Sequence, residues 1–563
     1  MESAVPALLI LLVVVPAAAA AVVAALGPDN RPTVRNVSLA AVLINLLITI
    51  LVLVAAVPQL QARPDVGTTF QPPEQYFTRV KLLQLGSDES SVIQFFIGLD
   101  GLNVWLVALT SFLMLPSILI GWDAIQERTN EYYAWLLLLQ TAMTGVFLAF
   151  DLILFYVFFE LTLVPLFFLI GIWGGPMRRE AARKFFLFTL TGSLITLLGA
   201  IAVVIICQQH RGTAGGVGSM FAIPDLVRTV QGFLDSGQAE SFYGRDIQTM
   251  IFLALALGFA IKVPIFPLHT WLPLAHTEAP TAGSVLLAGV LLKLGTYGFL
   301  RLCLPLTPDA ALAVGVPLIG TLAAIGVIYG AMCAYAQTDI KKLVAYSSVS
   351  HLGLCMLGLF ALNVSGLSGG LLQMINHGLS TGGLFLLVGM LYDRYHTREM
   401  ADYSGMAARL KLLATFMVFI CLSSVGLPGL NGFVGEMLIL AGVYDLHGAP
   451  ISGYGFAVVL AIGIVLGAWY LFTMLQRVFF GPLREPAHHG HDIADLDGRE
   501  LATILPVMGL CVLLGVWPQP VLDASKADIG VVARIADGAK NRATASGVAA
   551  APRGPIANEN TRR

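Results

Sequence analysis

Apolar stretches of about 20 residues, the length a helix needs to cross a bilayer, recur along almost the whole chain. That recurrence fixes the solvent in which it folds. Fourteen spans are predicted: 4–26, 37–58, 99–121, 132–150, 151–174, 185–207, 248–267, 281–303, 312–334, 341–362, 368–391, 410–445, 454–478 and 501–518. Of 563 residues, 57% are hydrophobic and 12% charged, whereas soluble proteins carry about 25% charged residues. The expectation is an all-α polytopic membrane protein, not a large water-soluble enzyme. A net charge of −2 offers no footing for nucleic acid. The first run lacks the positively charged start of a secretory signal, with only Glu2 before it, and is read as a retained helix.

All six cysteines (Cys207, Cys303, Cys333, Cys355, Cys421 and Cys511) fall inside predicted spans and none forms a CxxC pair. Disulfides, zinc and iron–sulfur ligation are therefore not expected. No glycine-rich nucleotide fingerprint is present, so no cofactor-binding or metal-binding residues are assigned. The histidines of HHGHD, residues 488–492, lie in a charged loop without fixed geometry and are not read as a metal site.

The loops set the orientation. Loops after odd-numbered spans hold sixteen lysines and arginines, including the clusters RREAARK, DIKK and REMADYSGMAARLK; loops after even-numbered spans hold seven, Arg301 among them. An excess of lysine and arginine marks the cytoplasmic side. Both termini and the longer loops 59–98 and 208–247 are then external.

Against that pattern, a few ionisable groups stand inside spans, where each costs several kcal/mol and marks a candidate functional site. Glu160 (FYVFFELTLVPLFF), Lys293 (SVLLAGVLLKLGTYGFL), His351 (AYSSVSHLGLC) and His377 (LQMINHGLSTGG) fall near the middle of theirs. Lys262 stands two residues before the first proline of IKVPIFPLHTWLP, and Glu436 closes GLPGLNGFVGE. Each has a plainer reading: a lysine can snorkel, a membrane histidine can be a packing residue, and Glu160 and Lys262 can form a static pair. Six such compromises near one depth are better explained by a single connected polar path.

The breaks point the same way. Proline inside a helix frees carbonyls, which is tolerated only where the broken helix is buried in protein or lines a hydrated cavity. Pro264, Pro267 and Pro273 are expected to interrupt the seventh span; Pro428 with Gly426, Gly429 and Gly432 the twelfth. Two broken helices in corresponding places suggest inverted repeats with a site at their interface: two five-helix units, helices 4–8 and 9–13. Lysine suits proton transfer because burial weakens its hold on a proton while a nearby carboxylate strengthens it.

The stretch IKVPIFPLHTWLPLAHTEAPTAGSVLLAGVLLKLGTYG, with DIKKLVAYSSVSHLG and NHGLSTGGLFLLVG, resembles the antiporter-like, proton-pumping membrane subunits of respiratory complex I, and the likeness extends over roughly residues 1–520. Glutamate at 436, where related branches typically carry lysine, is similar to the subunit M branch (chain 4 in mitochondria). The resemblance implies a bacterial inner-membrane protein with discontinuous seventh and twelfth helices and a midplane proton path. By position, Glu160 and Lys262 match an ion pair, Lys293 a central lysine, His351 and His377 the connecting path and Glu436 the exit-side group. His269 matches a family histidine of less defined role. FMN, iron–sulfur clusters and quinone are implied for other subunits, and the partners are other membrane subunits of the complex.

The expected organisation is three N-terminal helices with the external loop (1–131), a first antiporter-like repeat (132–303) and a second (312–480). A cytoplasmic loop with the last helix (481–520) and a short, polar, mobile external tail (521–563) complete it. The competing readings are a multisubunit cation/proton antiporter subunit, a subunit of a membrane-bound hydrogenase complex, and a scaffold whose buried charges only fix packing.

Overall fold

In hydrocarbon a backbone must satisfy its own hydrogen bonds, and helix is the local way to do so. The computed structural model, which describes residues 4–64, 67–68, 70–85, 91–210, 218–237, 242–447, 452–486 and 493–545, is accordingly mostly helical. The HHGHD histidines lie outside the described residues. Helices α1 (Val5–Ala25) and α2 (Arg31–Gln61) lead into a hairpin, β1 (Phe77–Gln84) and β2 (Val92–Gly98). Then come α3 (Val104–Ala124), α4 (Thr129–Leu148), α5 (Leu152–Trp173, with a turn at Thr162), α6 (Arg178–Gln209), α7 (Ile223–Asp235) and α8 (Arg245–Lys262). After the short α9 (Leu272–Glu278) follow α10 (Thr281–Leu306), α11 (Pro308–Tyr335), α12 (Ile340–Phe360) and α13 (Val364–Tyr395). Helices α14 (Lys411–Ser424), α15 (Asn431–Tyr444), α16 (Gly453–Phe479), α17 (Gly498–Val516) and α18 (Gln519–Ala545) complete the described chain. Among the described residues, eleven helices are long and apolar enough to cross a membrane.

Burial ranks them. The most apolar windows of α10 and α13 are entirely buried inside the protein and that of α12 is 94% buried, against 33% for α1 and 28% for α17. The three helices bearing Lys293, His351 and His377 are therefore the centre of the bundle, while α1 and α17 expose apolar faces.

Several expectations need correction. The fold is not purely helical: within the loop 59–98 the strands pair antiparallel, with Phe77 opposite Gly98. FTRVKLLQ and VIQFFIG carry the β-branched and aromatic residues that fit a half-buried ribbon, and Phe96 packs between Phe77 (centroids 5.3 Å apart) and Phe150 (5.6 Å). Asp151 ties the hairpin to the bundle: it caps α5 by accepting from Ile153 and Leu154 and accepts Gln94 N–H at 3.0 Å.

Nor is the region after 520 a mobile tail as far as residue 545. It is the helix α18, which buries Val521, Ala524, Asp528, Ile529, Val532, Ile535 and Ala539 at helical spacing against α2 and α13. Alanine and aspartate dilute its hydropathy without removing that period. Asp528 anchors it, paired with Arg63 at 2.9 Å and accepting Gly101 N–H at 2.8 Å. Burial, reinforced by nearby Asp100, pushes this carboxyl above the usual carboxylate range against the pull of Arg63. Arg542 meets Asp309 at 2.7 Å, and Lys540 donates to the Leu362 carbonyl at 2.7 Å.

Arg301, expected in an external loop, lies inside α10. It pairs with Asp100 at 2.6 Å, both side chains fully buried, donates Nε–H to the Tyr297 hydroxyl at 3.0 Å and sits 4.9 Å from the Phe150 ring centroid. Removing one member of a buried pair strands the other charge, at a cost of about 3–5 kcal/mol. Arg301→Ala is therefore expected to lower the amount of chain recovered in purified membranes and its thermal midpoint. The double substitution Arg301→Met with Asp100→Leu should recover much of the loss.

Candidate functional site

Helix α8 ends at Lys262, and its break is repaired from within. Pro264 has no N–H, so Ile265 N–H reaches back to the Ala260 carbonyl at 3.0 Å. The freed Ile261 carbonyl accepts the indole N–H of buried Trp271 at 2.9 Å. Pro273 does not interrupt a helix, as expected from sequence, but opens α9 in its first turn, where a missing N–H costs nothing.

Lys262, 3% exposed, projects from the C-terminal end of α8, where unpaired carbonyls favour a cation. Its ammonium donates to Thr162 Oγ1 at 3.0 Å, at the turn in α5, and lies 4.3 Å from the Phe159 ring centroid. Glu160 stands within electrostatic reach, but the contact ion pair implied by the resemblance is not formed: Thr162 holds the ammonium, and Glu160 Oε1 has no hydrogen-bond partner.

A second cluster gathers at the centre. Residues 287–291 of α10 form a π-helical turn, a feature frequent at functional sites. Lys293 Nζ donates to the Ala288 carbonyl of that turn and lies 2.7 Å from His377 Nδ1 on α13. The His377 and His351 rings are 5.8 Å apart between centroids. His351, on α12, faces the Tyr470 hydroxyl at 3.2 Å from Nε2 and Glu436 Oε1 at 4.0 Å from Nδ1. Lys293, His377, His351 and Glu436 thus form one buried series across four helices.

The second break pins that series at its far end. Between α14 and α15 the backbone turns left-handed at Gly426 (φ +77°) and Gly429 (φ +90°). Asn376, beside His377, donates to the Asn431 carbonyl at 2.6 Å, while Asn431 Nδ2 donates to the Asn376 carbonyl at 3.2 Å. A Cβ on Gly426 would run into the Glu436 carboxylate, whereas Gly429 faces open space.

The seven sequence candidates are not all joined. Between the Lys262 and Lys293 clusters the packing is apolar: Val263 fills against Gly295, and Phe259 against Gly298. His269 is buried apart from both, near the rings of Tyr329 (5.2 Å) and Phe266 (5.8 Å).

Two buried groups escaped the sequence reading. His276 on α9 is fully buried, stacked 4.7 Å from Phe385 at 8°, and both its ring nitrogens lack partners. Leaving such a group unsatisfied costs about 1–3 kcal/mol. Its electrostatic neighbours are Lys341 and Lys293. Lys341, also buried, donates to the Ala279 carbonyl at 2.5 Å. Thr277, Glu278 and Lys341 line a cleft of about 520 Å³ that also takes in Asp393, Arg398 and Arg499. His276 lies between the spans 248–267 and 281–303, and Lys341, the first residue of the span 341–362, counts among the loop charges, although an isolated histidine in LPLAHTEAP was visible.

A buried lysine, two imidazoles and a carboxylate in series, beside two helix breaks, define a polytopic membrane protein with a polar path through its helices. The chain belongs to the NADH:quinone oxidoreductase/Mrp antiporter transmembrane family, whose model matches residues 149–465. It is 42% identical over 430 residues to NADH-quinone oxidoreductase subunit M of Rhodobacter capsulatus, covering 76% of this chain and 80% of that one. A chain of the Thermus thermophilus respiratory complex I with bound NADH superposes with a TM-score of 0.76 at 29% identity, covering 94% of this chain and 99% of that one. A chain of the Mrp complex of a Dietzia species gives 0.74 at 21% identity, over 96% and 98%, a likeness of fold alone.

The two glycines of the second break separate backbone strain from contact. A side chain in the left-handed region costs about 1–2 kcal/mol, so Gly429→Ala should lower the thermal midpoint modestly. Gly426→Ala should lower it clearly further, because its Cβ also displaces Glu436. Equal shifts would show that the Glu436 contact is immaterial.

Proposed function

We propose that the chain is a proton-translocating membrane subunit, of the subunit M type, in a respiratory NADH-quinone oxidoreductase. Protons move through its midplane Glu/Lys/His series while NADH oxidation and quinone reduction proceed elsewhere in the complex. The observation that carries this is the buried run Lys293–His377–His351–Glu436, with gaps of 2.7 Å at one end and 4.0 Å at the other. An ammonium against an imidazole nitrogen can hand over a proton. Each imidazole can take a proton on one nitrogen and release another from its second. A carboxylate at the far end receives it. His276 links the polar cleft to Lys293 and His377, accepting a proton from the cleft when Lys293 is neutral. Glu160 and Lys262 set the charge at the neighbouring break, and His269, beside Phe266 and Tyr329, belongs to the same break.

Fourteen crossings, two inverted five-helix units over 132–303 and 312–480, a bacterial inner-membrane location and external termini complete the proposal. It is supported by a helix interruption falling within each unit and by the loop charges. FMN, iron–sulfur clusters and quinone are assigned to other subunits, and the partners are neighbouring membrane subunits. A cation/proton antiporter subunit is the weaker reading, since the likeness to the Mrp complex falls below that to complex I and Glu436 replaces the lysine typical there.

If Lys262 carries a proton, Lys262→Ala should leave assembly largely intact yet cripple proton pumping and coupled quinone reduction. Lys262→Arg should also fail, because a guanidinium keeps its proton at any relevant pH. A static charge predicts the reverse ranking. Purifying both variants in the whole complex and comparing subunit content with pumping and quinone reductase rates decides between them.

For His276, glutamine keeps the polarity and much of the size but carries no proton. His276→Gln should cut pumping severalfold at unchanged subunit content. Pumping at the wild-type rate would remove His276 from the path.

A further inference from the structure

On the flank formed by α5 and α6, away from the buried series, an open groove of about 620 Å³ is walled by Phe167, Phe168 and Leu187 and rimmed by Arg128, Arg179 and Arg183. The placement of charge along it is ordered. Arg179 and Arg183 stand in the first two turns of α6, and Leu187 follows Arg183 by one further turn, about 6 Å deeper along the helix. Phe167 and Phe168 lie the same way inward from the end of α5 at Trp173. Their rings are set by packing: Phe168 stacks on Trp135 at 4.6 Å and Phe167 meets Phe186 at 5.3 Å.

The cations are unequally answered. Arg128 is paired with Glu131 at 2.5 Å and lies 6.0 Å from the Trp173 ring centroid. Arg179 and Arg183 make no hydrogen bond or ion pair among the described residues, and they stand at the α6 N-terminus, where the helix itself favours an anion. The acidic side chain closest to them in sequence is Glu180, which leaves the rim positive. Exposed arginine side chains above an apolar trough match an amphiphile with one anionic end.

We propose that this groove is a binding site for an anionic phospholipid, its phosphate between Arg179, Arg183 and Arg128 and an acyl chain lying along Phe167, Phe168 and Leu187. Basic pockets between membrane helices recognise such head groups. A free phosphate would leave the aromatic trough uncovered. A neighbouring apolar helix would cover the trough and leave the arginines unanswered.

The test uses the whole complex in its membrane, with a photoactivatable diazirine phosphatidylglycerol, its phosphatidylcholine counterpart, and an Arg179→Gln/Arg183→Gln variant. Each arginine near an anionic surface strengthens binding roughly fivefold. Crosslinking of the anionic probe to the peptide containing Phe186 and Leu187 should therefore fall by roughly an order of magnitude or more in the variant. The neutral probe should label both proteins weakly and equally. Overturning results are equal labelling by the two probes, unchanged anionic labelling in the variant, complete competition by inorganic phosphate, or loss of a neighbouring subunit from the variant whatever lipid is supplied. Proton pumping is not the readout, so this outcome is independent of the proton path.

Discussion

A polar group in hydrocarbon must find its partner within the protein, and the arrangement of this bundle depends on how that demand is met at two broken helices. An interior proline costs about 3 kcal/mol or more when nothing compensates it. Here the Trp271 indole takes the Ile261 carbonyl, and the crossed amides of Asn376 and Asn431 hold the second break. The first repair draws on the segment that follows α8, the second on α13. The breaks can persist only while the surrounding helices keep their places. The same repairs position the functional side chains: Lys262 is the last residue of α8, and Asn376 adjoins His377.

The two clusters so positioned are unlike each other. Lys293 reaches Glu436 through two imidazoles, whereas Lys262 is held by a neutral hydroxyl and an aromatic face. Between them lie Phe259 and Val263, packed against Gly295 and Gly298. A proton cannot hop through that packing, so on the proposed reading the halves communicate by charge. On that reading a change of charge at Lys262 acts on Lys293 through a poorly polarisable interior, without transfer. Glycine at 295 and 298 lets α8 and α10 approach closely, which strengthens that influence.

What the sequence revealed and concealed follows from how each signal is written. Long apolar runs announce helices, and isolated charges within them announce Glu160, Lys262, Lys293 and Glu436, because nothing else in those runs competes. Prolines mark breaks, but position within the helix decides their effect: Pro264 falls just past the end of α8, while Pro273 lies in the first turn of α9. The hairpin was lost because Arg79, Lys81 and Gln84 made its loop look merely polar, although the alternation in VIQFFIG was present. Helix α18 was lost because alanine supplies a buried face without raising hydropathy. Arg301 and Lys341 stand at the ends of their spans and count with the loop charges, a reading that fails where a charge is neutralised inside the protein. The π-helical turn at 287–291 has no signature in residue type.

The buried charges divide by how completely they are answered, and that division separates architecture from function. Arg301 has Asp100, the Tyr297 hydroxyl and aromatic faces; Asp528 has Arg63 and a backbone N–H. Such groups are held in one position by their partners, which is what joining α3, α10 and α18 requires. Lys293 has a carbonyl and an imidazole but no carboxylate in contact. Glu436 has His351 as its ionic neighbour only at 4.0 Å. His276 has no partner on either nitrogen. An incompletely answered charge is costly, since a low-dielectric interior penalises each missing partner, yet the same deficit keeps its protonated and deprotonated forms close in free energy. A fully paired charge cannot exchange its proton without breaking the pair. On the proposed reading the proton carriers are the groups the fold leaves partly unsatisfied, which line up on α9, α10, α12, α13 and α15, while the satisfied pairs stand where α3, α10 and α18 meet.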